Sequence, residues 1–372
     1  MPTPDLIDLR SDTVTRPTAA MRAAMHAADV GDDVYGDDPS VNRLQAYAAE
    51  RFGFEAALWF ASGTQSNLAA LMSHCGRGDE MIVGQDAHTY RYEQGGAAVL
   101  GSIQPQPIVN QPDGSLAIRD IAAAIKPDDL HYARTRLLAL ENTIGGKVLP
   151  PAYVREATLF AKSRGLATHL DGARLMNAVI ASGQAERDAV AGFDSVSLCL
   201  SKGLGAPAGS LLFGSRDFIA MAKRWRKALG GGLRQAGIYA AAGLHALEQH
   251  VVRLADDHAN AAHLAAGLAA LGLNVEPVQT NIVFVDIASE DLPALKLYLP
   301  EQGVLATLAT RTRLVTHLDI SRAQIDAALA AFARYYAVKQ HAARTYRPAS
   351  QPSSPAIGSL PPGLAELYGS MT

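Results

Sequence analysis

Short apolar runs alternate with stretches of helical periodicity through most of the chain. Ala57 to Phe60, Met81 to Val83, Arg136 to Leu140, Leu166 to Leu170, Ser195 to Leu200 and Gly209 to Phe213 read as strands. Each is a near-continuous apolar run, the pattern of a sheet covered on both faces. Helix-like segments lie between several of them: QSNLAALMSHC after the first, and the stretch from Pro150-Pro151 to Arg164 after the third. Strands spaced by helices of this length predict right-handed crossovers and a mainly parallel sheet. Asp38-Pro39 opens a helix as N-cap and first helical residue, and Val41, Leu44, Ala48 and Phe52 then recur on one face. A long helical pattern covers Leu233 to Leu268, with a break near Val251. Beyond it, TNIVFVDI and RTRLVTHLDI read as strands and Ser321 to Tyr336 as a helix. The prediction is an α/β chain: a large unit over residues 1–250, a smaller α+β unit over 251–338, and a tail over 339–372. In the tail Pro348, Pro352, Pro355, Pro361 and Pro362 fall among Ser, Ala and Gly. At 372 residues, one large α/β unit is the alternative to two domains.

Composition narrows the classes. Hydrophobic residues make up 48% and charged residues 19%, too apolar for a disordered chain. The formal charge of −3 gives no reason to expect nucleic acid or an anionic membrane surface as partner. No run approaches the roughly 18 apolar residues of a membrane span. Asp5, Asp8 and Arg10 interrupt the place where a secretory leader needs an apolar core. Cys75 and Cys199, the only cysteines, lie far apart in apolar segments and predict buried free thiols in a reducing, cytoplasmic compartment.

The chemistry gathers where strands end. Ser201-Lys202-Gly203 follows SVSLCL, and His169-Leu170-Asp171 closes the preceding strand, so Lys202 and Asp171 sit one βαβ unit apart at a carboxyl edge, where α/β sheets bind ligands. A lysine and a carboxylate in one crevice are what pyridoxal 5′-phosphate requires: the amine forms a Schiff base, and the carboxylate keeps the pyridine nitrogen protonated so that the ring accepts electrons. Ser62-Gly63-Thr64, between a strand and a helix, supplies an anion site for the phosphate. No metal ligand set is read.

With these three elements in order, the chain resembles the low-specificity L-threonine aldolases, including L-allo-threonine aldolases, of the fold type I pyridoxal-phosphate enzymes. The matching stretches include IDLRSDTVTRP, VGDDVYGDDPSVN, SGTQSNL, ARTRLLALENTIGGKVLP, LDGARLMNA, SLCLSKGLGAPAGSLLFG and RWRKALGGGLRQAG, from about residue 7 to about 320. The resemblance implies roles. Lys202 matches the Schiff-base lysine, Asp171 the partner of the pyridine nitrogen, Arg174 the group near the phenolic oxygen, and Gly63 and Thr64 the phosphate loop. His88 matches the histidine stacked on the ring, and His131 a second active-site histidine; both are candidate bases for the β-hydroxyl. Arg313 and Ser11 match the substrate carboxylate contacts. Arg311 lies on the same strand face as Arg313, so alternation cannot choose between them; the adjoining RLVTHLD favours Arg313. Tyr92 is a second wall beside His88. Lys227, Arg234 and Tyr35 match residues that reach a neighbouring subunit's site. That implies a homo-oligomer, a homotetramer built as a dimer of dimers, with active sites at the dimer interface.

The implied reaction is cleavage of L-threonine, L-allo-threonine and related β-hydroxy-α-amino acids to glycine and an aldehyde. β-Elimination or transamination on the same cofactor, and a silent cofactor-binding protein, are the alternatives; Lys202 and Asp171 both being present counts against the last. One motif departs from the pattern: Ile144-Gly145 stands where many relatives have His-Asn.

Overall fold

A computed structural model describes residues 6–345. The strands, in chain order, are β1 (Ile7–Asp8), β2 (Ala56–Phe60), β3 (Glu80–Gly84), β4 (Gln104–Ile108), β5 (Thr135–Glu141), β6 (Ala167–Asp171), β7 (Ser195–Cys199), β8 (Ser210–Gly214), β9 (Ile282–Asp286), β10 (Val304–Leu305) and β11 (Arg311–Val315). Seven of them form the central sheet in the order β2-β8-β7-β6-β5-β3-β4. Only β8 runs against the others. The six apolar runs of the sequence are therefore strands, and the carboxyl ends of β2, β3, β5, β6 and β7 share one edge.

The seventh strand, β4, is not among those six runs. Its sequence QPQPI carries Pro105 and Pro107, which cannot donate to a ladder. It survives because it is an edge strand with one neighbour. Gln104 N–H donates inward to Asp79 O at 2.9 Å, and the alternate proline positions need no partner.

Helices cover both faces. In Pro39–Phe52 the four residues Val41, Leu44, Ala48 and Phe52 are all buried, and with Trp59, Leu138, Val196 and Phe213 they belong to the main core. The long helical pattern is interrupted as its sequence indicates. Gly237–His245 passes into a five-residue π turn, Ala246–His250, and a new helix, Leu254–Ala270, begins beyond a break. The break is useful: His250 Nδ1 donates to Leu204 O at 2.8 Å and Arg253 Nη1 to Gly203 O at 3.3 Å, so both hold the loop that follows Lys202.

A second core joins Leu264, Leu268, Val283, Val285, Leu314 and Phe332. Here β9 and β11 pair antiparallel. Ile7 and Leu9 belong to this core, and β1 pairs in parallel with β10, so the first stretch of chain is anchored against the smaller unit. The last helix, Arg322–Thr345, continues past Tyr336 and into the segment read as tail. The prolines of that segment lie outside the described residues. Cys75 and Cys199 are buried and unpaired. Among the described residues no helix is long and apolar enough to cross a membrane.

Asp38 does more than cap a helix. Fully buried, it accepts from the N–H groups of Ser40 and Val41 at 3.1 Å each, Gly31 at 3.3 Å and Gly237 at 2.8 Å. Asp38→Ala is expected to lose the cap and strand two further donors, at a cost of at least about 2 kcal/mol. Denaturant unfolding should show this as a lowered midpoint, with Asp38→Asn falling between the two.

Candidate active site

Five strand ends deliver polar side chains to the shared edge. Asp171 closes β6, Glu141 closes β5, and Lys202 follows β7; His88 and Glu93 follow β3, and the helix Gly63–His74 starts after β2. In the β6–β7 register Asp171 lies opposite Ser197, and Lys202 follows just beyond the carboxyl end of β7, so both belong to the same edge of the sheet. Asp171 is buried. Its Oδ1 accepts from Ala173 N–H at 3.0 Å and its Oδ2 from Asn67 Nδ2 at 2.9 Å. Lys202 is half-buried, and Thr15 Oγ1 donates to its carbonyl at 2.9 Å. The lysine charge is felt by Asp12, His88 and Glu141 alike.

His88 Nδ1 lies 2.9 Å from Glu93 Oε1, and its N–H donates to Glu141 Oε2 at 2.7 Å. The hydrogen bond to Glu93 raises the imidazole pKa. Burial first, and then the charge of Asp171, push Glu141 up to about 8; burial raises Glu93 as well. One ligand atom each of His88, Glu93 and Asp171 lies within 4.8 Å of the others. The Tyr92 ring, largely exposed, stands 5.8 Å from the His88 ring.

Arg174 makes a bidentate pair with Asp12, 2.7 Å at both contacts, and Asn281 Nδ2 donates to Asp12 Oδ2 at 3.2 Å. Burial opposes ionisation of Asp12, but the guanidinium and Lys202 hold its carboxyl far below the usual range. Ser11, the residue before it, caps a short 3₁₀ turn and accepts from Thr13 N–H at 3.2 Å. Arg313 Nη2 reaches Arg10 O at 3.5 Å, and its guanidinium lies within electrostatic reach of Arg174, Asp12 and Tyr92. Arg311, the rival, is occupied: it pairs with Glu276 at 2.5 Å and stacks 3.7 Å from the Phe284 ring. Partners, not periodicity, separate the two arginines.

The helix start offers an anion site. Ser62 Oγ accepts from Gln65 N–H at 3.2 Å, and the amides of Gly63 and Thr64 lack helical acceptors by position. Gln65 Nε2 donates to Leu229 O at 3.1 Å, and a Cβ on Gly231 would fall 2.2 Å from Gln65 Oε1. The Gly230-Gly231-Gly232 run is thus laid against this first turn. Tyr35, Lys227 and Arg234 form one exposed patch beside it. Arg234 pairs with Asp32 at 3.0 Å, and a buried pair, Arg226 with Asp33 at 2.7 Å, anchors both loops beneath.

His131 stands apart. It precedes β5, at the amino edge of the sheet, whereas Lys202 lies beyond the carboxyl edge. Its ring is exposed, with Nδ1 2.6 Å from Asp129 Oδ1. The chain does not bring it to its own Lys202. Ile144 is buried, its N–H bonded to Lys147 O at 3.0 Å, so the departure from the motif is a packed turn. Sequence reasoning passed over Asp12, Asn67, Glu93, Glu141 and Asn281. Glu141 could have been found by the argument that found Asp171, a carboxylate ending a strand; Asn67 and Glu93 carry no such signal.

Residues 8–290 match the family described as beta-eliminating lyase. The chain is 57% identical over 320 residues to the low specificity L-threonine aldolase of Escherichia coli K12, covering 86% of this chain and 96% of that protein. It is 43% identical over 353 residues to low-specificity L-threonine aldolase 1 of Arabidopsis thaliana, covering 91% and 99%. Among solved structures it is similar to a Leishmania major threonine aldolase, with a TM-score of 0.77, 21% identity and coverage of 89% and 99%. The sheet and its crevice therefore come with a sequence likeness that extends over most of the chain, and the chain belongs to the low-specificity L-threonine aldolase family.

Proposed function

We propose that the chain is a pyridoxal 5′-phosphate-dependent aldolase that cleaves L-threonine, L-allo-threonine and related L-β-hydroxy-α-amino acids to glycine and an aldehyde, acetaldehyde from threonine. The observation that carries this reading is that Asp171 closes β6 and Lys202 follows the adjacent strand β7 at the same carboxyl edge, where the Gly63–His74 helix also begins. The donor set fits the cofactor: a primary amine, a buried carboxylate fixed by two donors, and helix-start amides for a phosphate. Bound there, the cofactor supplies the electron sink for the Cα–Cβ bond.

Lys202 is the covalent anchor, Asp171 holds the pyridine nitrogen, and Gly63 and Thr64 hold the phosphate. Arg174, fixed by Asp12, lines the crevice beside them. Arg313, with Ser11, binds the substrate carboxylate and so sets which bond of Cα is presented for cleavage. His88 has Nδ1 engaged by Glu93, which leaves Nε2 to hold or move a proton. Tyr92 walls the same side.

The patch of Tyr35, Lys227 and Arg234 serves a neighbouring subunit, and His131, on the far edge of its own sheet, serves another chain's site. Together they support a symmetric homotetramer, a dimer of dimers. Two buried free thiols fit a cytoplasmic location.

Lys202→Ala should lose the borohydride-sensitive visible absorbance of the bound cofactor and nearly all turnover. Parental threonine cleavage by that variant would refute the mechanism. Mixing inactive Lys202→Ala with inactive Arg234→Ala under subunit exchange should restore part of the activity, because hybrid dimers hold one intact site; no recovery despite proven exchange would show that each site is built from one chain. Cleavage should be strict for L at Cα and loose at Cβ, with L-allo-threonine favoured, since pockets distinguish a methyl by only about 1–3 kcal/mol. His131→Phe should change the allo-to-threonine ratio of kcat/KM more than His88→Phe. An unchanged ratio in folded, yellow His131→Phe protein removes His131 from Cβ recognition.

A further inference from the structure

A line of hydrogen bonds runs from the far end of the Gly63–His74 helix into the crevice. Asn67 and His74 are two turns apart on one helix face. His169 and Asp171 share one face of β6, and Ser195 lies opposite His169 in the β6–β7 register. His74 Nε2 is 2.7 Å from Ser195 Oγ, which is 2.8 Å from His169 Nδ1. His169 Nε2 is 3.3 Å from Asn67 Oδ1. Asn67 Nδ2 then meets Asp171 Oδ2 at 2.9 Å and Glu93 Oε1 at 3.0 Å.

The partners fix the direction of every link. The Asn67 amide turns its NH₂ group toward Asp171 and Glu93, donating to one oxygen of each. Its Oδ1 then faces His169 Nε2, which must carry the hydrogen. Burial keeps His169 neutral, with its pKa pushed down to about 3; Nδ1 therefore retains a lone pair and accepts from the Ser195 hydroxyl. The Ser195 oxygen accepts in turn from His74 Nε2–H, and burial lowers His74 to about 4. The opposite tautomer of His169 would set a lone pair against Asn67 Oδ1. Each donor is used, and every link points toward the carboxylates.

We propose that Asn67, His169 and Ser195 are positioning residues: a one-way chain of donors that fixes the plane of the Asp171 carboxylate and ties it through Asn67 to Glu93 and so to His88. Asp171 has about four lone-pair positions. Ala173 N–H and Asn67 occupy one on each oxygen and leave the others for a pyridinium N–H. Simple packing does not account for the arrangement, because apolar side chains of similar size would fill the space between helix and sheet without desolvating five polar groups.

The inference rests on the reading of Asp171 as the cofactor's partner, but the chain of donors can be tested without it. Long-range ¹H–¹⁵N spectra of histidine-labelled protein at pH 7, with and without cofactor, should show His74 and His169 neutral with hydrogen on Nε2. A charged His169, or one with hydrogen on Nδ1, overturns the proposal. Ser195→Ala interrupts the chain away from the crevice, and Asn67→Leu interrupts it at the carboxylates. Both should shift the visible absorbance of the bound cofactor and lower kcat, Asn67→Leu by roughly tenfold, the effect of losing one buried hydrogen bond, with KM nearly unchanged. Folded variants with parental absorbance and kcat would sink the idea. If the parental protein takes up no cofactor, the functional reading fails, while the tautomers still decide whether the chain of donors exists.

Discussion

The bidentate contact between Asp12 and Arg174 joins three stretches of chain far apart in sequence at one buried charge pair. Asp12 belongs to the first described segment, Arg174 follows β6, and Asn281, which also donates to Asp12, precedes β9 in the smaller unit. Both charged groups are withdrawn from water, so neither is tolerable alone: removing one partner of a buried pair costs about 3–5 kcal/mol. The pair therefore helps to fix where Ser11 stands, together with the packing of Ile7 and Leu9 in the second core and the Thr15 contact to Lys202 O. A crevice that binds an amino acid carboxylate needs a cation whose charge is not already neutralised. Arg174 is paired in place, whereas Arg313 has, among the described residues, a carbonyl contact at 3.5 Å and no carboxylate partner, which is what its proposed role requires.

The carboxylates around His88 obey a related constraint. Asp171, Glu93 and Glu141 converge where water is scarce, and three adjacent negative charges would repel strongly. Burial and the Asp171 charge drive Glu141 toward its neutral form, while Lys202 and His88 offset part of the remainder.

Much of the frame was legible because fully buried strands must be apolar from end to end. That rule exposed six strands and failed at β4, whose prolines are allowed only because one of its sides is empty. Asp171 and Lys202 were legible as charged residues where apolar runs stop. Glu141 obeyed the same rule and was passed over, since its neighbour Leu140 closes the apolar run and nothing distinguishes a strand-ending glutamate from a solvated one. Asn67 and His169 were hidden because their meaning lies in a helix face two turns long meeting a strand face two residues long, which a linear pattern does not display. Arg311 and Arg313 share a face and differ only in what surrounds them. For His131 the obstacle was topological: proximity to β5 in sequence says nothing about which end of β5 faces the crevice.

The interrupted helix before the smaller unit has a mechanical side. His250 and Arg253 lie on either side of the break and hold the carbonyls of Leu204 and Gly203, just after Lys202. The helix Leu254–Ala270 carries on from there into the second core. One continuous run of backbone, from the π turn into that helix, therefore ties the second core to the loop that follows Lys202 through two hydrogen bonds, so the loop is braced from outside the sheet rather than from within it.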